Sequence, residues 1–120
     1  MAKNKEQVYV KYKYALAFKL LLDKNKKQRK RNDKKGVVDM NLDDSYGKIS
    51  STTGLRPATL SEALSGLSEV KATTIDLILN SLGASYAQFG KIMDNLTEEK
   101  IIEYKKLKEE ERTVRATKRG

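Results

Sequence analysis

The chain has 120 residues, with 25 Lys+Arg against 16 Asp+Glu, no Cys and no His, for a formal net charge of +9. That length holds one domain, with arms at most, and the missing Cys and His exclude disulfides, zinc fingers, thiol nucleophiles and any triad built on an imidazole. No apolar run approaches the roughly 18 residues of a membrane span, and Met1-Ala2-Lys3-Asn4-Lys5 opens no secretory signal, so the sequence reads as a soluble cytoplasmic protein.

A first helix is predicted over about Glu6 to Asn25. On a 100° wheel Tyr14, Ala15, Phe18, Leu21 and Leu22 share one arc, a core face, while Leu16 and Leu20 fall roughly opposite. Two apolar sides need two covers, the second from the same domain or from another chain. Tyr9, Tyr12 and Tyr14 alternate with Lys11 and Lys13. That pattern fits half-buried rings with solvated lysines, or a platform for stacking single-stranded bases.

Charge is concentrated next. Residues 24–35 carry eight Lys/Arg and one acid, net +7, whereas residues 36–96 carry four basic residues and seven acids, net −3. With no apolar residue to bury, 24–35 is predicted as a mobile loop or a frayed extension of the first helix, ended by Gly36. Val37-Val38-Asp39-Met40-Asn41-Leu42 then returns the chain to the core as an extended segment.

From Asp43 onward the punctuation predicts short helices. Asp43 or Asp44 caps a helix over Ser45–Thr52, and Thr53-Gly54 stops it. Pro57 sits at the first position of the next helix, which Gly66 ends. A fourth helix opens at Lys71-Ala72-Thr73, buries Ile75, Ile78, Leu79 and Leu82, and ends at Gly83. Ser85 caps a fifth with the stripe Tyr86, Phe89, Ile92, Met93 and Leu96. Thr97 with Glu98-Glu99 caps a sixth, whose stripe is Ile101, Ile102, Tyr104 and Leu107; Arg112–Gly120 is expected to fray. The fold expected is all-α: a domain over 6–96 that includes the basic insertion 24–35, then a C-terminal helix and tail over 97–120.

The strongest signal is the spacing Ile49-Ser50-x-x-Thr53-Gly54-Leu55-x-x-x-x-Leu60-x-x-x-Leu64-x-Gly66. Ile49 and Leu60 seal two helices together, Ser50 leaves room for the crossing, Gly54 makes the turn and Leu55 plugs the space beneath it. This is a helix-turn-helix pattern, whose second helix can lie in a DNA major groove.

On Ile49-Ser50, Thr53-Gly54-Leu55, Thr59-Leu60-Ser61, Gly66, the helix Ile75–Leu82 and Gly83-Ala84-Ser85, the chain resembles the Cro/lambda-repressor-like (XRE-type) helix-turn-helix family over about three-quarters of its length. The resemblance implies a five-helix domain, here with a C-terminal helical extension, that binds double-stranded DNA as a homodimer and regulates transcription as a repressor or antitoxin-like protein. It further implies that Tyr46, Arg56, Pro57, Ala58, Ser61, Glu62 and Ser65 face DNA, and that Lys71 and Thr73 meet the backbone. Of that face only Arg56 offers the fork that reads guanine.

The charge run adds Lys26, Lys27, Arg29, Lys30, Arg31, Lys34 and Lys35 as expected phosphate contacts; a dozen extended residues would reach up to about 40 Å. No phosphate-binding glycine loop occurs, and no cofactor, metal or small-molecule substrate is expected. Asp39, Asp43 and Asp44 form the one central acid cluster, explained by capping more simply than by cation binding. An enzyme is not expected. The competing function is a protein-interaction module that keeps the fold with weak or no specific DNA binding.

Overall fold

A computed structural model describes the backbone of residues 2–39 and 42–119 and the side chains of residues 8–39 and 42–115. Met40 and Asn41, in the expected return segment, lie outside the described residues. Those described form six helices and no strand: α1 (Ala2–Lys35), α2 (Tyr46–Thr53), α3 (Pro57–Ser65), α4 (Ala72–Leu82), α5 (Tyr86–Asn95) and α6 (Glu98–Arg119).

The chain is thus all-α, and its largest departure from expectation is α1. Residues 24–35 are neither loop nor fray; they are the last third of a 34-residue helix. Three causes combine. Lys, Arg and Gln are good helix formers, and no Gly or Pro interrupts the run. Side-chain pairs one turn apart brace it: Lys19 donates to Asp23 at 2.7 Å, Gln28 to Asn32 at 2.9 Å and Arg29 to Asp33 at 3.3 Å. The end is closed by Val37 N–H donating to the Asn32 carbonyl at 2.8 Å and Gly36 N–H to that of Asp33 at 3.2 Å, with Lys34 and Lys35 at the negative end of the dipole. As a helix this stretch spans about 18 Å, less than half the reach of an extended strap.

The return segment does not reseat at once. Val37 and Val38 are exposed, Leu42 is half-buried and Asp43 is buried. Ser45 caps α2, accepting from Lys48 N–H at 3.2 Å, so neither aspartate is the cap. Asp43 is buried and its carboxylate accepts from Ser81 Oγ at 2.5 Å, fastening the segment to α4. Beside it, buried Asn25 donates to the carbonyls of Asp43 at 2.9 Å and Leu82 at 3.1 Å.

The main core gathers Ala17, Phe18, Leu21 and Leu22 of α1 with Ile49, Leu60, Ala63, Leu64, Ile78, Leu79, Leu82 and Phe89. Phe18 stacks on Phe89 with ring centroids 5.2 Å apart. Each such fully buried side chain stabilises the fold by roughly 1.5–3 kcal/mol relative to exposure. Ser85 and Gln88 form the reciprocal cap that starts α5; Tyr86, expected in the core stripe, is exposed instead, its hydroxyl donating to Asp76 at 2.9 Å.

A second, smaller core joins Tyr12 and Ala15 of α1 to Ile101 and Tyr104 of α6, with Leu16 packed against it. The second apolar side of α1 is therefore covered in cis as far as Leu16, while Leu20 stays exposed. Ile102 and Leu107 are also exposed, so the inward stripe of α6 differs from the one expected. Nor does α6 fray at Arg112; it continues to Arg119.

Candidate nucleic-acid interface

Helices α2 and α3 are joined by three residues, Gly54, Leu55 and Arg56. Gly54 adopts φ 77°, a conformation that penalises any Cβ, and its N–H donates to the Ser50 carbonyl. Ser50 Oγ crosses the turn to the Leu55 carbonyl at 2.6 Å. Thr53 Oγ1 donates to the Ile49 carbonyl at 2.7 Å and accepts from Leu55 N–H at 3.1 Å. Two hydroxyls thus occupy the polar backbone groups that the turn would otherwise leave unmatched, and fix the angle between the helices. Ser50 is therefore more than a small residue at a crossing.

Leu60, Ala63 and Leu64 turn α3 inward. Arg56, Pro57, Ala58 and Glu62 are exposed, and Ser61 and Ser65 are half-buried at the edge of that outer face. Tyr46 opens α2 half-buried against the main core, and burial pushes its hydroxyl pKa up, which keeps it a neutral donor. Lys71 and Thr73 are exposed at the start of α4.

Lys26, Lys27, Arg29, Lys30, Arg31, Lys34 and Lys35 are exposed along the end of α1. One of them reaches the segment ahead of α2: the Arg29 guanidinium lies 3.7 Å from the Asp44 carboxylate, which also accepts from Lys48 Nζ, in α2, at 2.6 Å. The Lys48 bond holds the Asp44 carboxyl below the usual range. Asp44 is thus matched by two cations and Asp43 is buried. Among the described residues no group of acids is arranged to hold a metal ion.

The far end of α3 has its own fastening, made by Tyr104 of the expected α6 stripe and by Arg112, where fraying was expected to begin. Tyr104 Oη donates to the Leu64 carbonyl at 2.6 Å, and Arg112 reaches the Ser65 carbonyl at 3.5 Å and Tyr12 Oη at 2.5 Å. The signal was available: Ile101, Tyr104, Lys108, Arg112 and Arg115 recur at three- and four-residue steps, one face of a helix.

No family model, curated protein or solved structure matches this chain. Among the described residues no helix is long and apolar enough to cross a membrane.

Proposed function

We propose that the protein binds double-stranded DNA through the α2–turn–α3 pair, acting as a helix-turn-helix transcriptional regulator of the Cro/lambda-repressor-like kind. In this reading α3 enters the major groove with Arg56, Pro57, Ala58, Ser61, Glu62 and Ser65 toward the bases, while Tyr46, Lys71 and Thr73 border the backbone. The basic end of α1 supplies the attraction that the mildly acidic middle of the chain lacks.

The observation that carries the reading is the Arg29–Asp44 contact. It joins a net +7 helical segment to the residue just ahead of the Ser45 cap, where the helix that precedes the reading helix begins. Cations there meet the phosphates flanking the groove that α3 would occupy. One helix of this size reads only a few base pairs, so useful specificity calls for a homodimer on a two-fold site.

Selection from a random duplex library at about 0.15 M salt tests the proposal. Enrichment of one sequence, with palindromic halves, is the expected outcome. A pool that binds without sequence enrichment removes base reading. No retention of duplex at all leaves the protein-interaction reading, which the uncharged Pro57-Ala58-Thr59 start of α3 favours.

A further inference from the structure

The sixth helix changes character along a single face. Ile101 and Tyr104 are buried against α1, Lys108 is tucked over the Tyr104 ring with Nζ 5.4 Å from its centroid, and Arg112 bridges Tyr12 to the Ser65 carbonyl. One turn further the same face presents Arg115, which is exposed. The stripe is apolar where it lies on the domain and cationic where it passes the C-terminal end of α3. Glu111, beside Arg112 in the sequence, accepts from Lys108 at 3.2 Å, so its charge is met locally.

The cationic part of this stripe and the basic end of α1 are anchored at different places on α1. Arg112 meets α1 at Tyr12, and the basic run begins at Lys24, about 18 Å further along the helix axis. The two cationic elements thus contact the α2–α3 pair at separate points: α1 through Arg29 at Asp44, ahead of α2, and α6 through Arg112 at the Ser65 carbonyl, at the end of α3.

We propose that the Arg112–Arg115 face of α6 is a second phosphate clamp, contacting the backbone of the same duplex at the Ser65 end of α3. It rests on the DNA-binding reading above. Arg112 has a double part: its guanidinium holds the Ser65 carbonyl, and so fixes where α3 ends, while its charge faces the approaching backbone. Arg115, exposed one turn further on, contributes as a phosphate ligand alone. Lys106, exposed on the opposite side of α6, contributes nothing to this contact.

The test uses the full-length chain and a random-sequence duplex of about 30 base pairs, titrated across a salt series. Arg115→Ala is expected to weaken binding about three- to tenfold near 0.15 M salt and to lower the salt slope by about one, since one phosphate contact is lost. Lys106→Ala is expected to match wild type, and thermal melts of both variants to coincide with it. If Arg115→Ala and Lys106→Ala bind alike, the clamp is overturned while the DNA-binding reading stands. If the wild-type chain fails to bind duplex even at low salt, both are overturned.

Discussion

Gly66 and Tyr12 approach so closely that a Cβ on the glycine would lie 2.6 Å from ring carbon Cε1 and 2.9 Å from Cγ. Gly66 also holds φ 73° as the stop of α3. The same Tyr12 accepts from Arg112, so one ring is pressed between the end of α3 and the middle of α6. Gly66→Ala must adopt a left-handed conformation and displace a buried ring. The expected cost is about 2–4 kcal/mol, read as a lower urea midpoint at unchanged slope. Tyr12→Ala, which vacates the ring, should make the added cost of Gly66→Ala smaller than in the wild type. Strict additivity of the two changes would refute the contact.

Asn25 closes the other end of the domain. Its amide donates to two carbonyls belonging to different elements, Asp43 before α2 and Leu82 at the end of α4. Asn25→Leu keeps the number and branching of the side-chain heavy atoms but leaves both carbonyls buried without these donors. A loss of about 2–3 kcal/mol is expected, larger than a surface change on the same helix would give. A urea midpoint within error of wild type would show that the carbonyls find water instead.

Much of this architecture was legible, because it is written in short-range chemistry. Pro57 at the first position of α3, Gly66 and Gly83 after α3 and α4, and the Ser85 cap each act within one turn of their own residue. The misreadings concern what lies further off. The stretch 24–35 has nothing apolar to bury, which excludes a core role but says little against a helix already nucleated by the preceding 22 residues. Asp43 resembles a cap in sequence, yet its partner, Ser81, is 38 residues away. Ile102 and Leu107 read as a stripe with Ile101 and Tyr104, whereas the inward face of α6 continues through Lys108 and Arg112. Only the position of α3 beneath that face makes a cationic continuation sensible.

Tyr104 gives the fold a dependence on alkaline pH. Burial raises its pKa far above the ordinary phenol value, and its hydroxyl donates to the Leu64 carbonyl. A group with a raised folded pKa contributes fully below its unfolded pKa, about 10, and loses that contribution as pH climbs toward the folded value. Tyr104→Phe removes a hydrogen bond, at about 1 kcal/mol near neutrality, and also removes the ionisation. The stability difference between wild type and variant should therefore shrink between pH 9 and pH 11. Urea melts across that range check it, and a constant difference would place the Tyr104 hydroxyl in water.

A last distinction separates a rigid basic rod from a mobile basic strap. Lys30→Gln and Lys30→Pro remove the same charge from an exposed position, but only proline breaks the helix there, at about 3 kcal/mol locally. If the rod presents its cations through the geometry that Arg29 and Asp44 fix, Lys30→Gln should weaken duplex binding severalfold and lower the salt slope by about one. Lys30→Pro should weaken it further and also reduce the far-ultraviolet helical signal, because Arg31, Lys34 and Lys35 lose their common axis. Their position is set by the helix that runs on from buried Asn25, and a broken rod spreads them over many orientations whose entropy must be recovered on binding. Equal affinities for the two variants, with the helical signal lost only in the proline form, would mean that the cations act by charge alone and that the helix has no part in placing them.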